Sequence, residues 1–198
     1  MNFAKNSFIL NSRLCLAIVD KRIPKNMEDN LNNLGVNIIK STSCNNTYDA
    51  IKYHPDISVC KLNDNNIVVA PNVYDYYKNA LKPYGFNVIC GDSTIKNKYP
   101  YNIHYNIVIL KNFAIHNFKY TDKVILKYLE ENNIKKINVS QGYCKCSICI
   151  VDDNSLITSD EGIYKEVIKH DIDCLLIEKG YIDLFELNYG FIGGCSFL

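Results

Sequence analysis

Ile57-Ser58-Val59-Cys60-Lys61-Leu62, then Asn63-Asp64-Asn65-Asn66, then Ile67-Val68-Val69-Ala70-Pro71: an apolar run, a polar turn, and a second apolar run broken by proline. The two runs read as strands and the asparagine-rich link as a tight turn. Apolar residues then recur at Val73, Tyr77, Ala80, Leu81 and Tyr84. The spacings i, i+4, i+7, i+8 and i+11 mark one face of a helix, and Gly85 supplies its stop. Phe86-Asn87-Val88-Ile89-Cys90 closes the stretch as a third strand. Strand, strand, helix, strand is the unit against which the rest of the chain is read.

A second copy starts at Ile107-Val108-Ile109-Leu110, turns at Lys111-Asn112, caps a helix at Thr121 and carries Ile125, Tyr128 and Leu129 on one face. It stops at Asn132-Asn133 and closes with Ile137-Asn138-Val139. A third runs from Ile148-Cys149-Ile150-Val151 through Asp152-Asp153-Asn154 to Leu156-Ile157-Thr158, where Ser159 can cap a helix carrying Ile163, Val167 and Ile168. Asp173-Cys174-Leu175-Leu176-Ile177 ends it. The fourth copy is split. Leu14 to Val19 leads through Pro24 to a helix with Met27, Leu31 and Leu34, then Gly35 and Val36 to Ile39. Its missing first strand is expected from the C-terminus, with the strand near Phe191 pairing with Leu14 to Val19. A repeat of about 40–50 residues implies a ring or solenoid of like units. The expected fold is therefore α/β: a single domain over residues 1–198, forming a pseudo-symmetric α/β propeller of ββαβ units closed by its N- and C-terminal strands. A fifth unit would have to come from Ser43 to Tyr53 and Tyr181 to Leu187.

Composition narrows the partners. Lys plus Arg is 22 against 21 Asp plus Glu, so no global charge favours nucleic acid or an anionic membrane, and neither is expected as a partner. Only Arg13 and Arg22 are arginines, which weakens phosphate and base readout further. No apolar run approaches the roughly 18 residues of a membrane span. Met1 to Leu10 lack a long apolar core and a small-residue cleavage site, so a cytoplasmic location is expected. The nine cysteines are an odd number in a chain larger than disulfide scaffolds, which argues against a bridge framework. Cys144-Lys145-Cys146-Ser147-Ile148-Cys149 fits no common zinc spacing, so neither metal nor cofactor is expected.

Chemistry-bearing residues gather in three places. Gly190-Phe191-Ile192-Gly193-Gly194-Cys195-Ser196 brings an apolar run into a glycine pair and one cysteine. Glycines are costly in a strand unless a backbone or ligand must approach closely, and a thiol beside such an opening can act as a nucleophile. The alternative is a small apolar residue closing a core strand. In His54-Pro55-Asp56, read as the extended start of the run at Ile57, residues two apart face one way, giving a base and a carboxylate on one wall. The alternative is a loop histidine with Asp56 capping a turn. In Thr158-Ser159-Asp160-Glu161, Asp160 either faces a pocket or serves the helix dipole.

Split ββαβ units, a His-x-Asp pair and a C-terminal Gly-Gly-Cys together resemble the pentein fold of the guanidino-group-modifying enzymes, which include arginine and agmatine deiminases, dimethylargininases and amidinotransferases. The likeness spans Leu14 to Ser196 and is nearest to a bacterial branch ending in a similar Gly-Phe-Ile-Gly-Gly segment. The resemblance implies Cys195 as the nucleophile, His54 as general acid/base and Asp56 as the neighbouring carboxylate; Asp160, from its place at a helix start, and Gly194, from the opening beside Cys195, are the candidate substrate-binding residues. The implied activity is that of a cysteine hydrolase or amidinotransferase acting on a small guanidine or amidine compound through a covalent thiouronium intermediate. Three departures stand beside it. Cys195 follows Gly194 directly; the segment before His54 offers Asp20 and Asp49 as candidates for the family's further substrate-binding acid; and the chain is short for a catalytic pentein. The alternative is a non-catalytic pentein that binds a metabolite or a macromolecular partner.

Overall fold

The computed structural model describes residues 13–44, 47–184 and 186–196. The first unit comprises β1 (Leu16–Val19), α1 (Lys25–Asn33) and β2 (Asn37–Lys40). The second comprises α2 (Pro55–Ser58), β3 (Val59–Lys61), β4 (Asn66–Val69), α3 (Tyr74–Leu81) and β5 (Asn87–Cys90). The third comprises β6 (Val108–Ile109), β7 (Phe113–His116), α4 (Lys123–Glu131) and β8 (Lys135–Asn138). The fourth comprises α5 (Cys144–Ser147), β9 (Ile148–Ile150), β10 (Ser155–Thr158), α6 (Glu161–Val167) and β11 (Asp173–Leu176). Each of the last three has one topology. Its first strand pairs antiparallel with the second, and the second pairs parallel with the third across the helix. β1 and β2 form a parallel pair.

In the second unit the apolar pattern explains this directly. β4 is the middle strand, and Ile67, Val68 and Val69 are all buried, as expected of a strand covered on both faces. α3 lays Tyr77 and Leu81 into the core at i and i+4, and Gly85 adopts the left-handed conformation (φ 78°) that ends the helical segment. Units pack side by side through their helices. Ile125 and Leu129 of α4 join the cluster built on β4 and α3, whereas Ile115 and Ile137 of the same unit pack with Ile163 and Val167 of α6.

Three expectations are corrected. The C-terminal segment does not form a strand on β1; among the described residues β1 pairs only with β2. Ile192–Gly194 is instead a 3-10 turn packed on α5 and β9. The reason is close approach: a Cβ on Gly193 would lie 2.2 Å from the carbonyl oxygens of both Lys145 and Ile148. His54 to Ser58 is not extended, because α2 begins at Pro55 and β3 only at Val59. Asp122 rather than Thr121 caps α4, and Asp160 rather than Ser159 caps α6, each accepting from a backbone N–H of the first turn. No fifth sheet forms from 43–53 and 181–187 among the described residues; a single bridge joins Leu184 and Leu187. The reading of Met1 to Leu10 lies outside the described residues.

Candidate functional site

Proline decides where His54 and Asp56 point. Its fixed φ suits the first helical position, so His54 becomes the N-cap and Asp56 enters the first turn. Residues two apart in a helix diverge by about 200°, so the histidine and the carboxylate part company.

Asp56 faces α5. Its Oδ2 accepts a hydrogen bond from the thiol of Cys146 at 3.0 Å. Asn106, just before β6, ties the pair together. Its Oδ1 accepts from the Cys146 backbone N–H at 3.1 Å, and its Nδ2 donates to the Asp56 carbonyl at 3.2 Å and to Cys146 Sγ at 3.1 Å. Lys145 donates its backbone N–H to the Asn106 carbonyl at 3.2 Å and its ammonium to the Gly193 carbonyl at 3.3 Å. Thus α2, the turn before β6, α5 and the C-terminal glycine turn meet around one hydrogen-bonded centre. Burial pushes the Cys146 thiol well above its ordinary range, and the Asp56 carboxylate adds to the shift. Burial lowers the Lys145 ammonium, with Asp56 opposing.

His54 faces the first unit. Its Nε2 lies 3.8 Å from Oδ2 of Asp20. Burial alone would raise the Asp20 carboxyl, but hydrogen bonds from the side chain and backbone of Arg22 hold it below its ordinary value.

Cys195 follows the 3-10 turn and is exposed; its thiol lies 3.3 Å from the Ile192 carbonyl. Partial burial, then Cys149, raise this thiol above its ordinary value. Among the described residues no hydrogen bond or ion pair connects Cys195 with His54. Both flanking segments nevertheless rest on the same short helix, through Cys146 to Asp56 and through Lys145 to Gly193. Nothing lies within 4 Å of a Cβ built on Gly194, so this glycine borders open space. Asp160 caps α6, with Oδ1 accepting from the Ile163 N–H and Oδ2 from Gln141 Nε2, both at 2.9 Å. A cavity of about 280 Å³ opens between the start of α6 and the C-terminal segment, lined by Ser159, Ile177, Glu178, Tyr181, Gly190 and Ile192.

Asn106, Cys146 and Glu178 were not anticipated. The signal for the first two was positional. Asn106, Cys146 and Asp56 all lie just before the first strand of a unit. Among the described residues no group of three His, Cys, Asp or Glu side chains is arranged to hold a metal ion.

Residues 18–198 match the model of a family of unknown function (DUF6873). No protein of curated function matches by sequence. An amidinotransferase from Microseira wollei, of a saxitoxin biosynthetic pathway, superposes with a TM-score of 0.57 at 12% identity, covering 92% of this chain and 79% of its own. A C. jejuni agmatine deiminase variant with substrate bound superposes at 0.51 and 11% identity, covering 94% of this chain and 69% of its own. A second C. jejuni agmatine deiminase structure aligns at 0.46 and 12% identity over 88% of this chain, which spans only 62% of that one. At these identities the first two superpositions establish the fold alone: a mixed α/β arrangement of small sheets like that of the amidinotransferase and the agmatine deiminase variant, the pentein fold.

Proposed function

The chain belongs to the family of unknown function DUF6873, and we propose that it is a pentein-type cysteine hydrolase or amidinotransferase acting on a small guanidine or amidine compound. The observation that carries this reading is that α5 holds both the His54–Asp56 turn and the Gly193–Cys195 turn, through Cys146 and Lys145.

In the proposed reaction the Cys195 thiolate attacks the guanidinium carbon and a C–S bond forms. The C–N bond to the leaving amine breaks as that amine takes a proton from the His54 imidazolium. Water, or an acceptor amine, then attacks the thiouronium carbon while His54 takes the attacking group's proton. The C–S bond breaks and the thiolate returns. A resting thiol raised above its ordinary value suits such a site, because the bound cation itself favours the thiolate. Asp56 positions the His54 turn through Cys146, and Gly194 leaves room beside the thiol. Asp160 is proposed to line the approach from the cavity next to Ser159. The scheme uses no cofactor or metal. A single cytoplasmic domain, lying in the bacterial branch that ends in Gly-Phe-Ile-Gly-Gly, belongs to the same proposal.

Trapping tests it. The protein is mixed with arginine, agmatine or methylguanidine, quenched in acid and digested. A substrate-derived mass on the Cys195 peptide, absent in Cys195→Ser, is expected; no adduct with any guanidine or amidine would contradict it. One observation favours a second reading, a non-catalytic pentein that binds a metabolite or macromolecule: the Cys195 thiol rests beside the Ile192 carbonyl, with no charged partner among the described residues.

A further inference from the structure

We infer that Asp20, beside His54, is the seat of a guanidinium site that the chain fills with its own Arg22. The inference deepens the proposed function and rests on it for the role of His54. Arg22 Nε donates to Asp20 Oδ1 at 3.0 Å and its Nη2 donates to Oδ2 at 2.7 Å, a two-pronged fork. Nη1 donates to the Asp49 carbonyl at 2.9 Å, and Nη2 also to the Ala50 carbonyl at 3.2 Å. The guanidinium carbon stands 5.2 Å from the centre of the Tyr53 ring. A carboxylate fork, two carbonyls and an aromatic ring form a recognition set for one planar cation. His54 Nε2 lies 3.8 Å from the same carboxylate oxygen that receives Nη2.

The local turn does not require this guanidinium. It is closed by main-chain donors, the Arg22 N–H to Asp20 Oδ1 at 2.7 Å and the Ile23 N–H to the Asp20 carbonyl at 3.0 Å. The side chain instead crosses to the loop that leads into His54. The Arg22 and Asp20 side chains remain 38% and 25% exposed, so solute can reach the pair from water. A guanidine compound seated at His54 therefore competes with Arg22, which acts as an internal occupant of the site.

The test titrates methylguanidinium into the full chain while following the His54 ring protons by NMR, with thermal unfolding as the check on folding. Arg22→Ala, and Arg22→Met, which keeps the stem over Tyr53, are expected to bind at least tenfold more tightly than wild type. Adding Asp20→Asn to either should abolish the gain. The inference falls if the folded variants bind no more tightly than wild type, if the gain survives Asp20→Asn, or if both variants unfold, which would make Arg22 a strut. A tenfold gain without any adduct on Cys195 would uphold this site while overturning the proposed chemistry.

Discussion

The Cys146 thiol donates to a carboxylate oxygen of Asp56 across 3.0 Å, joining residues 90 positions apart. The bond fastens the turn that carries His54 to the short helix on which the C-terminal glycines rest. Removing its donor withdraws a hydrogen bond from a partly buried carboxylate and from the Asn106 amide. Cys146→Ala is expected to lower stability by about 2 kcal/mol, and Cys146→Ser by less, since a hydroxyl still donates. In urea unfolding, the double variant with Asp56→Ala should lose less than the sum of the single losses.

The two central glycines of the C-terminal turn are expected to respond oppositely. A methyl group at Gly193 would meet two backbone carbonyls at 2.2 Å, and neither can swing aside. Gly193→Ala should cost about 3 kcal/mol or more, by overpacking against backbone. Gly194→Ala meets nothing within 4 Å and should stay within about 0.5 kcal/mol of wild type. Denaturant midpoints of the two variants decide the matter.

His116 predicts acid sensitivity. It is fully buried, with Nδ1 2.6 Å from the Thr121 hydroxyl and Nε2 3.1 Å from the Gly142 carbonyl. Burial lowers its pKa from 6.5 to about 4. Between those values the unfolded chain binds the proton and the folded one does not, so stability rises with pH across the window. The contribution is complete above pH 6.5 and is lost as pH falls toward 4, amounting to about 3 kcal/mol. Urea midpoints at pH 7 and pH 4.5 should differ more for wild type than for His116→Gln.

The repeating unit was legible because each helix carries its own spacing and each turn its own polar residues, as in the stretch from Ile57 to Cys90. β7 was not, because Phe113 to His116 is short and ends in a buried histidine whose partners, Thr121 and Gly142, come from elsewhere in the fold. The direction of Asp56 was readable in principle, since Pro55 marks a helix start. Its pairing with Cys146 was not, because both lie in four-residue helices too short to show a period. Gly193 looked like part of a strand because the apolar run before it has that composition. The crowding that demands glycine there comes from Lys145 and Ile148.

The central claim is that Cys195 is a nucleophile served by His54, and the most direct measurement is site-resolved alkylation by chloroacetamidine at mildly acidic pH. The reagent carries the planar amidinium of the proposed substrates, so it favours the thiolate where it binds. Mass spectrometry of the digested protein should show Cys195 labelled ahead of the eight other cysteines. Burial leaves Cys60 and Cys174 inert by comparison, pushing their thiols to about 12 and about 11. His54→Ala should slow the Cys195 reaction at least tenfold. A Cys195 that reacts no faster than Cys60 or Cys174, or at the same rate without His54, would contradict the account.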